Sequence, residues 1–247
     1  NQISQIQKDK IVSGDIIIIT EIEHHSNFLC WKRICDEKNA LLIKIPLLEN
    51  NQLDYSILET LEVKKIKVVS ISSCSNVTGM KTDIDYISKF CTLNSIIFVV
   101  DISQSLFSDI NLSKINANYY AFSAHKMFGP KGIGAVIIRN DTVSASTPTN
   151  LGGGMVLNSL SVPPVWSEGI KKFDYGTVDS ASIIAWAEAC KFIRSFPYHE
   201  INSHNLTIRK YLFNGLSTIN NIVIISESSC DSSIIAFYHK KIHSHDI

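Results

Sequence analysis

The chain has 247 residues and carries 23 Lys plus Arg against 23 Asp plus Glu, a balance that argues against a nucleic-acid binder held by bulk positive charge. It is 45% hydrophobic and 19% charged, which argues against a disordered chain and gives enough apolar residues for a large core with part of a second. Its longest apolar runs, such as residues 16–19 and 96–100, fall far short of the roughly 20 residues a membrane helix needs.

Short β-branched runs alternate with longer amphipathic stretches, the pattern of a mostly parallel sheet covered by helices on both faces. Residues 15–20 predict a strand, and Ser26 stands where a helix running to about Asn39 needs its cap. Residues 40–47 predict the next strand, 57–64 a helix, 67–74 a strand, 82–93 a helix and 95–102 another strand. The last of these contains Ile96-Ile97-Phe98-Val99-Val100, an apolar run of the kind that parallel strands bury on both faces. Two more strands are predicted near 118–122 and 133–139. Beyond Asn140 the chain turns to Ser, Thr and Pro and then to Gly152-Gly153-Gly154, which predicts a loop. Residues 180–195 have helical spacing, Pro197 opens a further helix to about Leu216, and 222–225 and 233–238 predict strands of a second unit. The expected domains are therefore 1–190, a large α/β domain, and 191–247, the start of a smaller α+β domain. Both ends read as incomplete, because Asn1 is not an initiator Met and the last strand has no closing helix.

Six cysteines (Cys30, Cys35, Cys74, Cys91, Cys190 and Cys230) show no CxxC pair or regular spacing. They predict neither a disulfide framework nor a zinc motif, and they suit a reducing cytosol, although a targeting segment upstream of Asn1 would be invisible. His239, His243 and His245 lack a partner cluster and read as a solvated tail, so no metal is expected. The glycines between Gly129 and Gly134 lack the Lys-Ser/Thr ending of a Walker sequence and precede a strand, which rejects a nucleotide loop.

Parallel sheets bind ligands beyond the carboxyl ends of their strands. Four polar clusters stand there: Glu23-His24-His25, Ser75-Asn76, the segment from Asp101 to Gln104, and Ser123-Ala124-His125-Lys126. An Asp ending one strand and a Lys 25 positions later (126 − 101) ending the next is an arrangement that a pyridoxal phosphate enzyme requires. The carboxylate keeps the pyridine nitrogen protonated, and the lysine amine bonds to the aldehyde. On spacing alone, an Asp capping a turn and a solvated Lys account for the pair equally well. A lone His after a strand is, by itself, more often structural than functional.

The longer string Phe122-Ser-Ala-His-Lys-Met-Phe-Gly-Pro-Lys-Gly-Ile-Gly134 closely resembles the pyridoxal-lysine segment of cysteine desulfurases, the fold-type I enzymes that take sulfur from L-cysteine. Glu23-His24-His25-Ser26-Asn27, Ser75-Asn76-Val77-Thr78-Gly79, Asp101-Ile-Ser-Gln104 and Phe173-Asp-Tyr-Gly-Thr177 follow in the family's order, and Glu-His-His with Ser-Asn-Val is similar to the SufS-like group. The resemblance implies a class V, aspartate aminotransferase-like large domain of mostly parallel α/β structure, with pyridoxal 5'-phosphate as cofactor. It implies that Lys126 is the Schiff-base lysine and Asp101 the partner of the pyridinium nitrogen. Gln104 and Asn76 would stand near the phenolic oxygen, His24 on the cofactor ring with a part in proton transfer, and Ser123 and His125 at the phosphate. Gly176-Thr177 is similar to the segment that reaches the neighbouring subunit's phosphate site, which implies a homodimer.

Further implications are a sulfur-acceptor protein of iron-sulfur assembly and a cytoplasmic location. Ala124 stands where the family has Gly, Asn118 where an acidic residue is usual, and Asp174-Tyr175-Gly176-Thr177-Val178 where it has Glu-x-Gly-Thr-Pro. The family's nucleophilic cysteine and its substrate-carboxylate arginine fall outside these residues, so residues 1–247 alone are expected to be inactive. Rival readings are a selenocysteine lyase, an aminotransferase or an epimerase of the same class, or an inactive remnant serving dimerisation.

Overall fold

In the computed structural model, which describes residues 1–105, 111–158, 162–228 and 230–247, the expected alternation of strands and helices is present. Helix α1 (Gln2–Lys8) leads to β1 (Ile16–Thr20), α2 (His25–Lys38), β2 (Leu41–Ile45), β3 (Ile66–Ser72), α3 (Ile84–Leu93), β4 (Ile97–Asp101), β5 (Tyr119–Ser123) and β6 (Gly134–Ile138). These six strands form one sheet in the order β2-β1-β3-β4-β5-β6, parallel throughout except for the antiparallel edge strand β6.

The period of two along each strand divides the core into two layers. Ile16 and Ile18 of β1 pack with Val69, Ile71, Phe98 and Val100 beneath α3, which contributes Ile84, Ile87 and Cys91. Ile17 and Ile19 face the other way, against Trp31, Ile34 and Cys35 of α2 and Ile3 and Ile6 of α1. All four isoleucines of β1 are thereby buried, each worth roughly 1.5–3 kcal/mol relative to exposure. No helix among the described residues is long and apolar enough to cross a membrane.

Three expectations need correction. Residues 57–64 do not form a helix but two 3-10 turns, Tyr55–Thr60 and Val63–Lys65. Leu58 and Val63 both pack on the same core layer, yet five residues of α-helix would hold them about 140° apart. The cap of α2 is His24 rather than Ser26: the His24 ring accepts the Ser26 N–H. Beyond Asn140 the chain is more ordered than a plain loop. It forms a short helix α4 (Asn140–Ser144), which buries Thr142 and Val143, and a two-stranded ribbon of β7 (Val156–Asn158) and β8 (Val165–Trp166).

Helices α5 (Ser180–Arg194) and α6 (Tyr198–Ser217) and the antiparallel pair β9 (Ile222–Ile224) and β10 (Phe237–His239) complete the described chain. Asp179 caps α5 by accepting the Ser182 N–H. This helix buries none of its residues and leaves Ile184 and Phe192 exposed.

Candidate active site

Four consecutive strands of the sheet, β1, β3, β4 and β5, end at the same edge, and the segments marked in the sequence follow them. Asp101 closes β4 opposite Ser72 of β3 and Ala121 of β5. Its backbone carbonyl accepts the Ser73 N–H at 2.9 Å and the Ser73 hydroxyl at 3.0 Å. Its side-chain Oδ1 accepts the Ser103 N–H at 2.9 Å, while Oδ2 bonds to no described residue.

After β5 the chain makes a single 3-10 turn, Ala124–Met127, carrying His125 and Lys126. Phe128 ends the turn at φ 60°, and the Gly129 N–H returns to the Ala124 carbonyl. Glycine is required at 129, since a Cβ there would stand 2.7 Å from Trp186 Cδ1 and 3.0 Å from the Ala124 carbonyl oxygen. The Trp186 ring also meets Phe122 edge-on at 5.7 Å, so α5 supports the lysine turn from below. Ala124 is fully buried here, and its methyl group is accommodated where the family usually has glycine. Asn118 is likewise explained: its Oδ1 accepts the Phe98 N–H and its Nδ2 donates to Thr142 Oγ1, a donor that a carboxylate lacks.

Lys126 is half-buried and makes no hydrogen bond or ion pair with a described residue. Together with Gln104, Ser103, Cys74, Asn202 and Asn205 it lines a polar cleft of about 210 Å³. Of the residues singled out in the sequence, Lys126 and Gln104 meet in this cleft. Asn76 lies in the turn after β3, where the Ser75 hydroxyl accepts the N–H groups of Val77 and Thr78. Ser123 ends β5 paired with Gly134, and His125 beside it is exposed. Thr177 is exposed in the loop whose Gly176 N–H donates to Gly153, and it does not line the cleft.

His24 is exposed at the end of β1, with Nδ1 engaged by the backbone N–H and hydroxyl of Ser26. The residue before it, marked in the sequence only as a member of the Glu23-His24-His25 cluster, has a role that the sequence did not reveal. Glu23 accepts from Thr20 Oγ1 at 2.5 Å, Asn27 Nδ2 at 2.6 Å, Ser72 N at 2.8 Å and Ser72 Oγ at 2.6 Å. Asn27 is oriented in turn, because its Oδ1 accepts from Trp31 Nε1 and Ser70 Oγ. This buried carboxylate clamps the β1–α2 turn that carries His24 to strand β3. Burial pushes the Glu23 carboxyl above its ordinary value, opposed by the bonds from Ser72, Thr20 and Asn27. The available signal was a glutamate three residues beyond the end of β1.

Glu23→Ala leaves four donors without an acceptor and is expected to cost about 3 kcal/mol, measured by urea unfolding at neutral pH. The sign of the pH effect follows from the raised pKa. Folding favours the protonated form, so this contribution is complete below the ordinary carboxylate range and is lost as the pH rises through the higher folded-state value. The wild-type midpoint should therefore fall across that window more than the Glu23→Ala midpoint does, and parallel curves would contradict the assignment.

The aminotransferase class-V family model matches residues 1–247. A probable cysteine desulfurase of Staphylococcus epidermidis is 30% identical over 239 residues, covering 96% of this chain and 58% of that protein. Among solved structures, the cysteine desulfurase CsdA of Escherichia coli superposes with a TM-score of 0.92 at 24% identity, over 99% of this chain and 61% of that one, and so has the same fold. The apo cysteine desulfurase of Thermococcus onnurineus gives a TM-score of 0.87 at 26% identity, over 99% and 62% of the two chains. The chain thus spans about 58% of the length of the curated relatives it matches.

Proposed function

The chain belongs to the aminotransferase class-V family, and on that footing we propose that it is the cofactor-binding part of a SufS-like cysteine desulfurase. The complete enzyme takes sulfur from L-cysteine, leaving L-alanine and an enzyme-bound persulfide. The observation that carries the reading is the pair of unengaged polar groups on neighbouring strands. Asp101 Oδ2 ends β4, Lys126 Nζ follows β5, and neither is bonded to a described residue.

That donor set fits pyridoxal phosphate: a carboxylate for the ring nitrogen, an amine for the aldehyde, and polar residues along the same sheet edge for the remaining oxygens. When bound, the cofactor supplies an electron sink for charge that develops at the substrate's α-carbon. Asp101 would accept a charge-assisted hydrogen bond from the ring nitrogen and keep its proton in place. Lys126 would hold the cofactor through its amine and would be the group that carries a proton at the substrate's α-carbon. His24 would face the ring and assist proton transfer, Gln104 and Asn76 would serve the phenolic oxygen, and Ser123 and His125 would serve the phosphate.

Thr177 serves the partner subunit's phosphate site in a homodimer, a reading supported by its exposure and by the uncovered apolar residues of α5. Residues 1–190 act as the large domain and 191–247 as the start of the small one. The sulfur-accepting thiol comes from a cysteine beyond residue 247, and the persulfide passes to a cytoplasmic acceptor for iron-sulfur assembly.

The test is an assay of the complete protein with L-cysteine, pyridoxal phosphate and a reductant. Alanine and sulfide should appear in equal amounts over many turnovers, whereas residues 1–247 alone should give less than one turnover per site. Mercaptopyruvate together with an aminated acceptor, in place of alanine, would favour an aminotransferase and overturn the reading.

A further inference from the structure

Two of the six cysteines, far apart in sequence, share one hydrogen-bond acceptor. The Cys74 thiol, just beyond β3, donates to the Gly79 carbonyl at 3.3 Å, and the Cys230 thiol donates to the same oxygen at 3.0 Å. The sulfurs are therefore no farther apart than these two bonds laid end to end. The contact belongs to a longer seam in which the segment after β9 lies across the β3–α3 turn. Ser226 Oγ donates to the Thr78 carbonyl at 2.6 Å, Lys81 pairs with Asp231 at 2.5 Å, and a Cβ on Gly79 would come within 2.3 Å of Ser232 Oγ. Gly79 is thus needed both for its φ of 76° and for the closeness of this approach.

We propose that Cys74 and Cys230 form an oxidisable dithiol, which a peroxide closes to a disulfide that fastens the segment after β9 across the β3–α3 turn, beside the cleft holding Lys126. Access favours Cys230 as the first sulfur attacked. It is half-buried and lines two open cavities of about 470 Å³ and 430 Å³, whereas Cys74 is 4% exposed. In the first step the peroxide O–O bond breaks, an S–O bond forms on Cys230, and one water leaves. In the second, the Cys74 sulfur displaces the hydroxyl from Cys230: the S–S bond forms, the S–O bond breaks, and the Cys74 proton leaves with the hydroxyl as a second water. Two thiols lose two electrons and one peroxide gains them.

Burial pushes the Cys74 thiol up to about 11, so it is protonated at neutral pH and the second step accelerates as the pH rises. Cys35 and Cys91 are buried, with thiols pushed up to about 11 and about 12, and Cys30 is bonded to the Ser26 and Asn27 carbonyls. A reducing cytosol reopens the bond, so the disulfide is a product of oxidant exposure and not a permanent framework.

The test uses the complete protein, treated with hydrogen peroxide, alkylated, digested with trypsin and examined by mass spectrometry without reduction. Cys74 lies in tryptic peptide 68–81 and Cys230 in peptide 211–240, each with no other cysteine. The expected result is a single cross-linked species of these two peptides, loss of both the Cys74 and the Cys230 thiol, and full reversal of the cross-link by dithiothreitol. In Cys230→Ser the species vanishes and Cys74 remains alkylatable, while Cys190→Ser leaves it unchanged. Oxidation of Cys230 to sulfinic or sulfonic acid without the cross-link, pairing of either cysteine with another, or survival of both thiols would each overturn the proposal. The wild-type readout needs no variant to fold.

Discussion

On the proposed function, Lys126→Ala is expected to lower kcat for L-cysteine in the complete protein by about 10⁴-fold. That is the upper end of what positioned proton transfer contributes and corresponds to roughly 5.5 kcal/mol of barrier. The size follows from the two duties proposed for one amine, to anchor the cofactor and to carry the substrate's proton. Stability should change little, because Lys126 bonds to no described residue and the turn is held by Gly129, Ala124 and Trp186 instead. Steady-state rates of alanine formation check the first part, and thermal unfolding of the cofactor-free protein checks the second. A variant keeping a tenth of wild-type kcat would contradict the role.

The second large effect belongs to Asp101. Asp101→Ala is expected to lower kcat by roughly 10²–10³-fold, the range seen when one preorganised electrostatic partner of a reacting centre is removed. Its folded-state cost is small by comparison, about 1 kcal/mol for the single side-chain bond from the Ser103 N–H. Asp101→Asn separates the two contributions. Its amide oxygen can still accept from Ser103, so stability recovers, but it has no negative charge to hold a proton on the ring nitrogen, so kcat stays low. Recovery of both in Asp101→Asn would mean that the carboxylate acts only as a turn cap.

Much of this site was legible because its signals are local. Most strands of the large sheet are short runs rich in β-branched or aromatic residues, so their ends marked Asp101, Lys126, His24 and Asn76 as candidates, and the longer string over 122–134 was needed to choose a reading. What was not legible depends on contacts between distant segments. The 57–64 stretch has helical composition but must set both Leu58 and Val63 against one core layer. Glu23 looked like a polar residue at a strand end until β3 brought Ser72 to it. The shared acceptor of Cys74 and Cys230 arises only when the segment after β9 crosses the turn at Gly79, and no spacing rule marks that crossing. Ala124 and Asn118 looked like departures from the family pattern, and the packing around them accounts for both.

The central claim is that Lys126 is the residue that binds the cofactor, and chemical trapping tests it most directly. The complete protein is saturated with pyridoxal phosphate, reduced with borohydride, digested with trypsin and mapped by mass spectrometry. The added pyridoxyl mass is expected on Lys126, within the uncut peptide 115–131, and should be lost in Lys126→Ala. Attachment to Lys131, which would mark a different peptide because trypsin then cuts after Lys126, or the absence of any reducible link would contradict it.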